Sequence, residues 1–187
     1  MGATAVDGGE RARFHGRMGH FGRFCGLAAA LYAAGILWLV HAERSGPPHH
    51  DFIVPPAIPA TLTVPGSAPP GRLPEVVPLA DRPPAVLLVH GYSNDRTMMR
   101  HLGRRLAEAG YGVLSIDVRG HGQNRAPFAR DPDGVNLFED FAAAADWLRA
   151  AAWVDGSRLA VVGFSMGGRA AQRFAERDSG VDAAVMI

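Results

Sequence analysis

Four apolar runs of strand length recur in the second half of the chain, at residues 85–89, 113–116, 159–162 and 183–187. They are apolar throughout rather than alternating, which is the pattern of strands buried on both faces. Helical periodicity fills the gaps between them. Residues 97–109 place Met98, Leu102, Leu106 and Ala109 on one face, with Asn94 or Asp95 available as a cap and Gly110 as the stop. Residues 138–152 repeat the pattern with Phe141, Ala145, Leu148 and Ala152, and residues 165–176 with Ala170, Ala171 and Phe174. Apolar strands alternating with helices predict an α/β domain with a mainly parallel sheet and right-handed crossovers. Upstream, residues 60–64 alternate and read as an edge strand.

The first part of the chain differs. Residues 46–84 hold 12 of the 14 prolines, so they cannot run long as helix or central strand. Their start, 46–51, reads as a linker. His49, His50 and Asp51 have no further ligands at metal-binding spacing, so a solvated linker is expected there and no metal. Residues 24–42 carry no formal charge if histidine is neutral, and as a helix span about 28 Å, close to a bilayer's hydrocarbon thickness. Arg11, Arg13, Arg17 and Arg23 precede this stretch against only Asp7 and Glu10, and Trp38 suits its far interface. That asymmetry places the N-terminus in the cytoplasm and the remainder outside.

Two membrane readings remain. One is an uncleaved signal anchor, favoured by length and flanks; the other is a signal peptide cut after Val40-His41-Ala42, giving a secreted or periplasmic protein. Met1-Gly2 lacks Ser or Thr at position 6, which argues against myristoylation. The expected organisation is a basic cytoplasmic segment 1–23, a membrane segment 24–42, a Pro-rich linker 43–59 and the α/β domain 60–187.

Net charge is +1, with all 19 basic residues Arg, and gives no electrostatic case for nucleic acid as a partner. Cys25 is the single cysteine, excluding an internal disulfide and a cysteine-based zinc cluster.

In a parallel sheet, ligands bind beyond the carboxyl ends of the strands. Three such ends carry chemistry: His90-Gly91-Tyr92-Ser93-Asn94, Asp117-Val118-Arg119-Gly120-His121-Gly122 and Gly163-Phe164-Ser165-Met166-Gly167-Gly168. The last is a G-x-S-x-G between an apolar strand and a helix. A sharp turn there lifts the Ser165 hydroxyl above the sheet, and Gly163 and Gly167 keep side chains out of the neighbouring strand and helix. Ser165 also stands at a helix N-terminus, where negative charge is favoured. Gly91 lets the chain turn close to this centre. The Tyr92 N–H and the Met166 N–H are the candidate oxyanion donors. His90 precedes Ser165 and reads as a structural histidine. Asp117 and His121 read as parts of a tight loop whose charged groups pair locally.

These three segments, "HGYSND", "DVRGHGQN" and "GFSMGG", resemble the α/β-hydrolase superfamily over residues 85–187, closest to its dienelactone-hydrolase, serine-aminopeptidase and prolyl-oligopeptidase-like members. The resemblance implies a cofactor-free serine hydrolase acting on a small-molecule or peptide ester or amide. Ser165 is then the nucleophile of an acyl-enzyme route, with Tyr92 and Met166 forming the oxyanion hole. Acyl transfer to an acceptor other than water fits the motif equally, and a non-catalytic binding module on the same fold is the alternative of another class. Haloalkane-type chemistry would need a carboxylate at position 165. In such hydrolases an acid and then a histidine follow the nucleophile. After Ser165 this chain has no histidine, and its only carboxylates are Glu176, Asp178 and Asp182. The expectation is therefore an N-terminal fragment, cut after about the sixth strand and lacking its general base.

Overall fold

The strand at Pro84–Val89, β3, shows how the sheet is built: its residues are buried alternately into two separate cores. Ala85, Leu87 and Val89 face one core, while Val86 and Leu88 face the other. Only a sheet covered on both faces needs a strand apolar at every position. The structure is a computed structural model that describes residues 46–66, 76–129 and 137–187, together with Ala34 and Leu37. The basic segment 1–23, Cys25 and, apart from those two residues, the expected membrane segment 24–42 lie outside the described residues. Among the described residues no helix is long and apolar enough to cross a membrane. The chain divides into two compact units, Met1–Gly46 and Pro47–Ile187, and the second carries the fold.

Its remaining strands are β1 (His49–Val54), β2 (Ile58–Thr63), β4 (Gly112–Ile116), β5 (Asp155–Gly163) and β6 (Ala183–Met186). They form one six-stranded sheet in the order β1-β2-β4-β3-β5-β6. The β1–β2 hairpin is antiparallel, and β2 also runs antiparallel to β4. The strands β4, β3, β5 and β6 are mutually parallel neighbours. Helix α1 (Arg100–Glu108) covers one face; α2 (Phe138–Ala150) and α3 (Met166–Ala175) cover the other. Phe141, Leu148, Ala170, Ala171 and Phe174 are buried on that second face, and each large aliphatic or aromatic side chain so buried stabilises by about 1.5–3 kcal/mol.

The structure differs from the sequence expectation in three places. Residues 49–54, expected as linker, are strand β1, and β2 is an interior strand rather than an edge. The prolines are compatible because Pro55 and Pro56 occupy the turn between the two strands, and Pro59, which has no N–H, uses its carbonyl to accept from Asp117 N. The first helix is also shifted in phase. Asp95 does cap it, accepting from the Thr97 N–H at 2.8 Å, but the first turn is a 3-10 segment, Arg96–Met99. That tighter turn buries Met99 and leaves Met98 exposed.

The helix α3 leaves β5 so abruptly that its second residue rests on β3. A Cβ on Gly167 would stand 2.5 Å from the His90 carbonyl oxygen and 2.7 Å from that of Val89. Backbone cannot yield as a side chain can. Gly167→Ala is expected to destabilise the fold by about 1–3 kcal/mol, read as a lower urea midpoint at unchanged slope.

Candidate active site

Ser165 sits between β5 and α3 with φ 51° and ψ −109°, a backbone conformation that is strained for a residue with a side chain. Such strain costs about 1–3 kcal/mol and persists only where the surroundings over-determine it. Here they do. The Phe164 N–H donates to the Val89 carbonyl at 3.0 Å, the Ser165 N–H to the Ile187 carbonyl at 2.8 Å, and the Gly167 N–H to the Phe164 carbonyl at 2.9 Å. A Cβ on Gly163 would collide with the Gly167 backbone, and one on Gly168 would meet the Met186 side chain and the Gly163 carbonyl. The turn thus has room for side chains only at 164, 165 and 166. Ser165 is exposed, and Met166, as the first residue of α3, contributes one of the backbone N–H groups that have no acceptor within the helix.

The end of β3 lies alongside. Val89 pairs with Gly163, so Gly91 and Tyr92 emerge next to Phe164 and Ser165, and a Cβ on Gly91 would strike the Phe164 ring at 2.8 Å. Ser93 has φ 60°, so that among the described residues it and Ser165 are the two positive-φ non-glycine residues, one after each of two adjacent strands. The Gly91 carbonyl is fixed twice: it contacts His90 Nδ1 at 2.8 Å and accepts from the Asn94 N–H at 3.3 Å. In a trans peptide the C=O and the next N–H point in opposite directions. Fixing the Gly91 oxygen therefore aims the Tyr92 N–H.

His90 is fully buried and uses both ring nitrogens. Val118 N–H donates to Nε2 at 3.3 Å, which assigns the ring proton to Nδ1 and makes that nitrogen the donor to Gly91. Burial lowers the His90 pKa from 6.5, reinforced by nearby His121 and opposed by the Gly91 hydrogen bond and by Asp117 and Asp95. The ring is therefore neutral, and it is not placed as a general base. Its structural reading stands, with an added task that the sequence did not reveal, since it orients the Gly91–Tyr92 peptide.

The Asp117 loop pairs differently from expectation. Its charged residues do not bond one another. The fully buried Asp117 carboxylate accepts from Arg96 N at 2.7 Å, Arg96 Nη1 at 2.5 Å and Gln123 N at 2.8 Å. Arg96 is itself buried and also donates to Thr61 and Gln123. Arg119 instead reaches α2, pairing with Asp140 at 3.0 Å and Glu139 at 2.7 Å, and these carboxylates raise its pKa. Asp95 is held below the usual carboxylate range, chiefly by the Thr97 hydroxyl it accepts from. His121 is buried, with Nδ1 2.9 Å from the Arg119 carbonyl. Arg96 had no motif to mark it; its role appears only when the loops after β3 and β4 meet.

None of the carboxylates after Ser165 stands near it. Asp178 pairs with Arg149 at 2.8 Å, Glu176 with Arg173 at 3.4 Å, and Asp182 accepts the Leu159 N–H at 2.9 Å, at the amino end of the parallel strands. Ser165 is at the carboxyl end of β5. The residues expected at the site, Gly91, Tyr92, Gly163, Ser165, Met166, Gly167 and Gly168, gather at one place, whereas Glu176, Asp178 and Asp182, which the sequence did not offer as site residues, are engaged elsewhere.

The folded state keeps the His90 proton affinity below that of the unfolded chain, so stability from this group is complete above about pH 6.5 and is lost as pH falls toward the lower folded value. The melting temperature should drop on acidification below pH 6.5, and His90→Gln, although less stable at pH 8, should show a flatter acid limb.

Comparison with known proteins agrees with this architecture. The family model described as serine aminopeptidase, S33, matches residues 81–187. An uncharacterised protein of Mycobacterium tuberculosis is 38% identical over 84 residues, covering 45% of this chain and 28% of that protein. The α/β hydrolase GrgF from Penicillium superposes with a TM-score of 0.57 at 20% identity, covering 74% of this chain and 44% of that one. A Pyrococcus furiosus esterase superposes with a TM-score of 0.53 at 22% identity, covering 71% and 45%. The chain thus spans less than half the length of each of these relatives. With the family model matching more than half of its residues, the chain belongs to the serine aminopeptidase S33 family of α/β hydrolases.

Proposed function

We propose that the protein is a serine hydrolase in which Ser165 attacks the carbonyl of an ester or amide and carries the acyl group. One observation carries this reading above the others: an exposed serine is held at positive φ on the strand-to-helix turn, at the carboxyl end of a parallel strand. A hydroxyl so placed projects above the sheet and against a helix N-terminus, where an oxyanion is stabilised. The Oγ–carbonyl bond forms as the Ser165 proton passes to a histidine, and collapse of the tetrahedral intermediate expels the alcohol or amine. Water then releases the acid by the reverse sequence. The N–H groups of Tyr92 and Met166 hold the oxyanion; one such donor is worth about 2.7–4 kcal/mol.

The base and its acid are assigned to the part of the fold that the relatives possess and this chain does not span. Both nitrogens of His90 are engaged, and the carboxylates after Ser165 serve ion pairs and strand ends. The full-length protein should react with a fluorophosphonate probe, and Ser165→Ala should abolish the labelling. Labelling that survives the substitution would exclude Ser165 as the nucleophile.

We propose further that residues 24–42 anchor the hydrolase domain to the outer side of a membrane. Support comes from the uncharged run and the arginines ahead of it. After carbonate washing, the protein with an intact N-terminus should remain in the membrane pellet. A soluble form beginning at Glu43 would instead mean cleavage.

A further inference from the structure

We propose that His121 is a positioning residue for the oxyanion hole, acting through the packing of its ring on Tyr92. The inference rests on the proposed role of the Tyr92 N–H. The His121 ring meets three others. It is edge-on to Tyr92 with centroids 5.4 Å apart, edge-on to Phe128 at 5.0 Å, and tilted against His90 at 5.4 Å. Tyr92 and Phe128 also approach each other, at 6.0 Å. Edge-to-face geometry at these separations is the favourable arrangement for aromatic pairs.

The cluster encloses the peptide that matters. His90 holds the Gly91 carbonyl from below, which fixes the direction of the Tyr92 N–H. The Tyr92 side chain is half-exposed, 49% accessible, and its ring packs on His121 and Phe128. Both rings reach Tyr92 from the neighbouring loop. His121 is itself anchored, with Nδ1 2.9 Å from the Arg119 carbonyl, and Arg119 is tied to α2 through Asp140. Phe128 is seated against Gly120, where any Cβ would collide with the Phe128 Cβ and φ is +71°. The glycine therefore lets the loop fold tightly enough to bring the Phe128 ring within 6.0 Å of the Tyr92 ring.

An oxyanion donor acts only if it is already aimed when charge develops, so loosening it lowers turnover without weakening ground-state binding. The same His121 lines a cleft of about 500 Å³ with Ser93, Asn94, Asp95 and Thr97, directly beyond Tyr92.

The test uses the full-length protein, fluorophosphonate labelling located at Ser165, and hydrolysis of p-nitrophenyl acetate. His121→Ala should slow phosphonylation and kcat by on the order of tenfold, leaving KM within about twofold, with a lowered melting temperature from loss of the buried ring. His121→Phe, which keeps a ring but no imidazole, should recover most of the rate. Unchanged rates in His121→Ala would overturn the inference, as would a His121→Phe protein as slow as His121→Ala. If His121→Ala does not fold, Phe128→Leu replaces it: slowed phosphonylation supports the inference, and an unchanged rate overturns it. Unaltered protein that is not labelled at Ser165 would overturn the proposed function and this inference together, whereas normal Ser165 labelling with no effect of His121 would overturn this inference alone.

Discussion

The close approach of α3 to the end of β3 is the constraint on which the site depends. Glycine at 163, 167 and 168 removes the side chains that would hold the helix away, so the chain turns within three residues from strand to helix. The turn can be that short only if Ser165 takes φ 51°. The backbone strain is offset by hydrogen bonds to Val89 and Ile187 from the strands on either side, so the serine is pinned between β3 and β6. One steric requirement thus determines where the hydroxyl stands, which helix N-terminus lies behind it, and which strand end is its neighbour.

A second interaction keeps that neighbour in place. The loops after β3 and β4 are joined by Arg96 and Asp117, both buried, with the carboxylate accepting from two backbone N–H groups as well as the guanidinium. A buried ion pair is a costly way to stabilise a fold, because desolvation consumes much of the attraction. It is an effective way to fix geometry, since removing either partner leaves an uncompensated charge. Here it ties the segment after Tyr92 to the loop that carries His121, so the two loops that meet beside the Gly91–Tyr92 peptide are held to one another.

Much of this was legible in the residues themselves. Uninterrupted apolar runs announced strands buried on both faces, and glycine spacing around Ser165 announced the turn. Helical periodicity placed Phe141, Leu148, Ala170, Ala171 and Phe174 in the core. What escaped was set by contacts between segments distant in sequence. Proline density suggested a linker where β1 forms, because a hairpin can lodge its prolines in the turn. Met98 seemed to face inward because periodicity cannot see a 3-10 first turn. Arg96 and Phe128 carried no local signal, since each acquires its role only when two loops meet at the same end of the sheet.

An exposed Ser165 held at positive φ is the centre of the proposed chemistry, and the crystal structure of the phosphonylated full-length protein tests it most directly. The phosphorus should be bonded to Ser165 Oγ, with the phosphonyl oxygen about 2.7–3.1 Å from both the Tyr92 and the Met166 nitrogens. An adduct on another residue, or a phosphonyl oxygen turned to solvent away from both nitrogens, would contradict it.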